Sequence, residues 1–181
     1  MDAQMHTAFV IMGVCGVGKT SVGRALAENL DAQYLEADDF HSDENRAAMA
    51  RGVPLSDRQR MPWLTRLSDE AEKMRANGPV VLACSALRRS YRDLLRKRIG
   101  RVHFVFLHGD RALLEQRITN RTDHFMPVSL LDSQIATLDP PTPDEGATHI
   151  DVAPSKAAVN AAVEHAIRTL GLPLSAPKTD H

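Results

Sequence analysis

The sequence predicts a three-layer α/β domain in which a parallel β-sheet lies between two layers of helices. Five short runs of apolar and β-branched residues alternate with amphipathic stretches of helical length. The runs at 8–12, 79–84 and 102–107 are almost entirely apolar, as expected of parallel strands covered by helices on both faces. This alternation indicates βαβ units, and we expect the 181 residues to form a single domain, 1–181.

Each element can be placed along the chain from its pattern and its end signals. The expected strands are 8–12, 32–37, 79–84, 102–107 and 148–152, and the expected helices are 19–30, 43–51, 62–77, 88–98, 110–121, 129–137 and 155–170. Asp110 and Ser155 can cap helices at their N-termini, and Gly171 followed by proline ends the last helix. The proline-rich segment 138–147 is expected to be a connecting loop, and 172–181 a flexible tail.

Composition argues against several classes of protein. With 22 basic and 23 acidic residues the formal net charge is -1, so no global field gathers nucleic acid or an anionic membrane. The two cysteines, Cys15 and Cys84, lack the spacing of a disulfide framework or a zinc site. A basic leader and an apolar run of about 18 residues are also missing. We therefore expect a cytoplasmic protein with neither nucleic acid nor membrane as a partner.

A glycine-rich segment between the first strand and the first helix, 13–20 or GVCGVGKT, matches the phosphate-binding pattern G-x-x-x-x-G-K-[ST]. Glycines let backbone N–H groups converge on phosphate oxygens, and the helix N-terminus adds free N–H groups and its positive dipole end. Lys19 supplies a positive charge for the β- and γ-phosphates, and Thr20 can bind Mg²⁺. The expected nucleotide-binding residues of this P-loop are Gly13, Gly16, Val17, Gly18, Lys19, Thr20 and Ser21. The alternative is a glycine-rich turn that binds nothing.

The segment 34–63 favours a small-molecule kinase over a GTPase. The N-K-x-D stretch with which GTPases usually recognise their base is missing from the sequence. Instead, acids, a histidine, an asparagine and arginines follow the second expected strand. Because ligands of open parallel sheets bind at the carboxyl edge of the strands, we expect this segment to face the phosphates.

Five stretches together resemble the gluconokinase family of small P-loop kinases, which is related to shikimate and nucleoside monophosphate kinases. They are MGVCGVGKT, ADDFHSDEN, GVPLSDRQRMPWL, CSALRRSYRDLLR and RTDHFMPVSLLDSQIATL, and the resemblance extends from Ile11 to about Gly171. It implies a P-loop NTPase fold with strand order 2-3-1-4-5 and a lid at about 121–133. It also implies transfer of phosphate from ATP, with Mg²⁺, to the terminal 6-hydroxyl of D-gluconate, and a homodimer.

The resemblance also assigns roles to individual residues. The catalytic set it implies is Lys19, Asp38, Arg117 and Arg121, with Thr20 and Asp38 at the metal and Arg117 and Pro154 at the nucleotide. The acceptor-binding set is Asp38, His41, Arg60, Ser85, Arg88, Arg92 and His124. Arg88 and Arg92 lie one helical turn apart and so share a face. The alternatives are a helix cap for Asp38, exposed surface groups for His41 and the arginines, and a plain turn at Pro154.

Three departures from the family pattern bear on the acceptor. The family commonly has lysine at Ala48, an acid at Gln59 and glycine at Asp123. The expected function therefore has two alternatives. One is a kinase of another small hydroxylated acceptor such as shikimate, although the shikimate kinase D-x-D is here EAD. The other is a nucleotide-binding switch protein without a small acceptor.

Overall fold

The fold is known from a computed structural model that describes residues 6–122 and 126–172. Its strands are β1 (Ala8–Met12), β2 (Gln33–Glu36), β3 (Val80–Ala83), β4 (Val102–His108) and β5 (Thr148–Asp151). They form one parallel sheet with the order β2-β3-β1-β4-β5, which confirms the predicted topology. Because β3 lies between β2 and β1, the segments that follow these three strands meet at one edge of the sheet.

Helices cover both faces of this sheet. Within the described residues they are α1 (Lys19–Leu30), α2 (Asp43–Ala50), α3 (Asp57–Arg75), α4 (Arg89–Ile99), α5 (Arg111–Thr119), α6 (Val128–Thr137) and α7 (Lys156–Thr169), with 3₁₀ turns at Ala37–Phe40 and Pro143–Glu145. Along β1, Phe9 and Ile11 pack into the core on one face, and Val10 and Met12 into the core on the other. A strand buried on both faces must be apolar at every position, which is the pattern seen in the sequence.

The start of α3 differs from the prediction. The helix was expected to begin at Pro62, but it begins at Asp57, because Ser56 and Gln59 form a capping box that satisfies free N–H groups at its start. Pro62 therefore lies inside the helix, where it removes one backbone donor. A proline that usually marks the first helical turn was in this case misleading.

The remaining element ends lie close to their predicted positions. Ser155 accepts a hydrogen bond from the Ala158 backbone N–H at 3.2 Å, as expected of a cap, whereas Asp110 occupies its N-cap position without such a bond. The segment 138–147 is a loop that contains the 3₁₀ turn Pro143–Glu145. Of the expected tail, 173–181 lies outside the described residues. Within the described ranges, no helix is both long and apolar enough to span a membrane.

Candidate active site

One cavity opens where β1, β2 and β3 end, and it brings most of the predicted site together. The predicted residues on its wall are Gly16, Gly18, Lys19, Thr20, Asp38, His41, Arg60, Ser85 and Arg121. They come from the P-loop, the segment after β2, the start of α3, the end of β3 and the segment after α5. The strand order thus brings together residues that are more than 100 positions apart in the sequence, from Gly16 to Arg121.

The P-loop has the backbone geometry that an anion site requires. Gly18 precedes α1 with φ +93°, and the helix has neither a side-chain cap nor an acid in its first turn. The first N–H groups of α1 therefore remain free for an anion. Gly13 allows a close approach of two strands, because a Cβ there would lie 2.5 Å from the carbonyl oxygen of Leu107. Val17, within the loop, is buried.

The Lys19 side chain is held by a backbone carbonyl group of the P-loop. Its Nζ donates a hydrogen bond to the carbonyl oxygen of Val14 at 3.1 Å. Burial lowers the pKa of the Lys19 ammonium, and the negative charge of Asp38 acts in the opposite direction. A bound polyphosphate would compensate the same desolvation, so the position of Lys19 suits a phosphate ligand.

Thr20 faces a carboxylate that the sequence prediction missed. Its hydroxyl donates to Oε2 of Glu36 at 2.7 Å, and the hydroxyl of Tyr34 donates to the same oxygen at 2.7 Å. Burial, followed by the hydrogen bond to Glu36, raises the pKa of Tyr34 well above its usual range. Glu36 is the last residue of β2, and an acid at the carboxyl end of a strand was the signal available in the sequence.

These oxygen atoms fit Mg²⁺ in their chemistry. Mg²⁺ prefers hard oxygen ligands and is usually bound by one or two protein groups together with substrate phosphates. The Thr20 hydroxyl and the Glu36 carboxylate are within 2.7 Å of each other beside the P-loop, and Asp38 lies on the same cavity wall. Thr20, Glu36 and Asp38 are therefore the residues that could hold the ion, directly or through water.

The cavity wall also contains a buried, uncharged histidine. The ring of His41 stacks on Trp63 with centroids 4.0 Å apart, and burial lowers the pKa of His41 to about 4. Its Nε2 lies 3.8 Å from Oδ1 of Asp38, whose side chain is 77% exposed. Its Nδ1 is buried and has no hydrogen-bond partner within the described residues. Trp63 was expected in the core, where it lies, and it donates from Nε1 to Ala37 O at 2.6 Å.

Arg60 and Ser85 are two further predicted acceptor residues that lie on the cavity wall. Arg60 is buried, donates from Nε to the carbonyl oxygen of Leu55 at 3.1 Å, and lies over the ring of Tyr91. Ser85 follows β3, and its carbonyl oxygen accepts from the backbone N–H of Gly13 at 3.3 Å. This bond joins the end of β3 to the P-loop.

Arg92 is not where the prediction placed it. Its side chain is 0% exposed, and Nε and Nη2 donate to the two carboxylate oxygens of Glu145 at 2.7 and 2.8 Å. Nη1 donates to the carbonyl oxygens of Ala86 and Leu87. Four of its five N–H donors are thus engaged inside the protein, and its side chain is not exposed to the cavity or to solvent. The expectation that Arg92 anchors an acceptor is therefore corrected.

Several other predicted residues lie outside this cavity or outside the described residues. Arg88 is exposed at the N-cap of α4 and is not on the cavity wall. Arg117 donates from Nη2 to the carbonyl oxygen of Val152 at 2.7 Å, next to the loop of the exposed Pro154. Within the expected lid, His124 lies outside the described residues. The second half of that segment is the start of α6.

Gln134 on α6 is the second residue that the sequence prediction missed. It lies on the cavity wall, and its Oε1 accepts a hydrogen bond from the backbone N–H of Cys15 at 2.8 Å. The two residues are 119 positions apart. No local pattern in the sequence could have indicated this contact.

Known proteins are similar to this chain in sequence and in fold. Residues 9–141 match the family model described as an AAA domain. The thermosensitive gluconokinase of Escherichia coli (strain K12) is 43% identical over 139 residues, which cover 76% of this chain and 74% of that protein. The chain belongs to the gluconokinase family.

Solved structures agree with membership of the gluconokinase family. A sugar kinase from Janibacter sp. HTCC2649 is 39% identical with a TM-score of 0.84, and the match covers 92% of this chain and 95% of that one. A gluconokinase from Sinorhizobium meliloti 1021 is also 39% identical, with a TM-score of 0.77 and coverage of 93% and 99%. The cavity at the P-loop is therefore the candidate active site of a gluconokinase-family enzyme.

Proposed function

We propose that this chain transfers the γ-phosphoryl group of ATP to the 6-hydroxyl of D-gluconate, giving 6-phospho-D-gluconate and ADP. The observation that supports this most directly is a single cavity lined by both the P-loop and the polar acceptor-side residues. The family relatives named gluconokinase supply the acceptor. Phosphoryl transfer needs mainly positioning and charge neutralisation, and both sets of groups lie on this cavity wall.

In this proposal the P-loop backbone and Lys19 bind the phosphates of ATP, while Thr20, Glu36 and Asp38 hold Mg²⁺. When bound, Mg²⁺ neutralises phosphate charge and orients the terminal phosphate. Asp38 orients the attacking hydroxyl and accepts its proton, since its carboxylate lies on the same wall as Lys19. Arg121 adds positive charge opposite the transferred group.

On the acceptor side, His41 and Ser85 offer hydrogen-bonding groups to hydroxyls, and Arg60 offers the cation that a carboxylate needs. The buried Arg92 has no part in this proposal. Arg88 and His124 stay predicted acceptor residues. Arg117 and Pro154 stay predicted nucleotide residues; Arg117 is bonded to the carbonyl oxygen of Val152, two positions before Pro154.

Lys19→Ala tests the proposal at its centre. We expect turnover to fall below detection while the variant stays folded, because Lys19 makes a single hydrogen bond to the loop. The measurement is ADP release with ATP, Mg²⁺ and D-gluconate. Parallel reactions with L-idonate, shikimate and nucleoside monophosphates identify the acceptor. Undiminished turnover in Lys19→Ala, or transfer to shikimate or a nucleotide in preference to a sugar acid, would contradict the proposal.

The assembly state and the cellular location belong to the same proposal. We expect a homodimer in the cytoplasm, as the resemblance to the gluconokinase family implies. Light scattering coupled to size-exclusion chromatography measures the mass of the assembly, and a solution mass of one chain would contradict the homodimer.

A further inference from the structure

Gln134 joins the helix after the expected lid to the phosphate-binding loop. It lies in the second turn of α6, and its Oε1 accepts the Cys15 N–H at 2.8 Å across a separation of 119 residues. Leu131 on the same helix is fully buried in the core that packs beneath the P-loop. The position of Gln134 relative to the loop is thus set by packing as well as by this bond.

The Cys15 N–H also fixes which way the amide of Gln134 faces. A backbone N–H can only donate, so the atom opposite it must be the carbonyl oxygen of the side chain. The Nε2 group, with two N–H donors, is then held on the other side of the amide. Among residues 6–122 and 126–172 it has no hydrogen-bond acceptor, and Gln134 lies on the cavity wall. A fixed donor without a partner among the described residues is available to a ligand.

The surroundings indicate that this ligand is a phosphate oxygen. Lys19, whose ammonium binds the β- and γ-phosphates in P-loops, is bonded to the carbonyl of Val14, the residue before Cys15. Burial raises the pKa of the Cys15 thiol, while the positive charges of Lys19 and Arg121 act in the opposite direction, so both charges lie near this residue. Gln134 therefore faces the end of the loop where the terminal phosphate is expected.

We propose that Gln134 donates a hydrogen bond from Nε2 to the terminal phosphate of a bound nucleoside triphosphate while its Oε1 holds the Cys15 N–H. Gln134 thus distinguishes a triphosphate from a diphosphate, and it couples α6 to the presence of the phosphate to be transferred. Only the statement that this phosphate is the one transferred rests on the proposed function. The binding itself involves nucleotide alone.

Titration calorimetry with ADP and with the non-hydrolysable analogue adenylyl imidodiphosphate tests this assignment. Gln134→Glu keeps an oxygen for the Cys15 N–H but replaces the donor with a negative charge. We expect it to weaken binding of the analogue by about tenfold or more and binding of ADP by less than about twofold. Ala136→Glu adds the same charge at an exposed position of α6 off the cavity wall, and it should change neither affinity.

Gln134→Met, which is close in size and lacks both polar atoms, serves if Gln134→Glu does not fold. It should also lose affinity for the analogue more than for ADP. Equal weakening of both nucleotides would show that Gln134 only shapes the loop, and no change in either would show that it faces no phosphate. Either result overturns the proposal. No sugar acid is present, so failure to phosphorylate D-gluconate would not affect the outcome.

Discussion

Replacing Arg92 by methionine distinguishes a structural role from the acceptor-binding role that its spacing suggested. The guanidinium group makes two bonds to Glu145 and two to backbone carbonyls, and its side chain is 0% exposed. Methionine fills similar space but leaves the Glu145 carboxylate, only 1% exposed, with Arg96 as its remaining ion-pair partner at 2.7 Å.

The expected loss follows from that geometry. Removing one partner of a buried ion pair costs about 3–5 kcal/mol, and Arg96 still neutralises part of the charge, so we expect about 3 kcal/mol. For a domain of this size each kcal/mol corresponds to roughly 2–4 °C, which predicts a melting temperature lower by about 6–12 °C. Replacing both Arg92 and Glu145 by methionine should recover part of this loss, because no buried charge is then left unpaired.

The assay combines urea and thermal unfolding with the KM for D-gluconate, measured at a temperature where every variant is folded. We expect the free energy of unfolding to fall and the KM to stay within about twofold, because Arg92 is not on the cavity wall. Arg88→Met, at an exposed position one turn away, is the matched control and should change stability by less than about 0.5 kcal/mol. A KM increased tenfold at unchanged stability in Arg92→Met would refute this reasoning.

Three further predictions concern the loop, the acid range and the metal. Gly13→Ala places a Cβ 2.5 Å from a carbonyl oxygen and should lower the free energy of unfolding, measured by urea titration, by roughly 3 kcal/mol or more. Gly18→Ala has open space around the new Cβ and should lower it by only about 1–2 kcal/mol. Hydrogen bonds, first of all from Arg92, lower the pKa of Glu145 from 4.5 to about 2. The ionised Glu145 therefore stabilises the folded state by about 3 kcal/mol above pH 4.5, and this stabilisation is lost as the pH falls toward 2. Glu145→Gln should remove this pH dependence from the free energy of unfolding, measured by urea titrations between pH 7 and 3. Glu36→Gln should raise the Mg²⁺ concentration for half-maximal turnover about tenfold and leave calorimetric ADP binding without Mg²⁺ unchanged; an unaltered Mg²⁺ requirement would remove Glu36 from the metal site.

The sequence was sufficient for the fold because the decisive signals were local. The apolar runs gave the strands, and the P-loop pattern gave the turn between β1 and α1. The proline at position 62 was a misleading start signal because the capping box of Ser56 and Gln59 begins the helix earlier.

The site was only partly predictable because long-range partners decide what a polar side chain does. Spacing put Arg88 and Arg92 on one helix face, but Arg88 is the exposed N-cap of α4, and Arg92 is buried in an ion pair with Glu145, 53 positions further along. The contact of Gln134 with Cys15 spans 119 positions and has no local signature. Residues directly after strands, such as Asp38 and Ser85, were found because the edge of a parallel sheet gathers them.

The stack of His41 on Trp63 has a consequence for how the enzyme meets its surroundings. Because the imidazole gains a proton only near pH 4, this side chain stays neutral when the surrounding medium acidifies by a unit or two from neutrality. A free histidine there would become cationic in that interval and attract anions indiscriminately. Burial against the indole thus keeps this imidazole uncharged through that range.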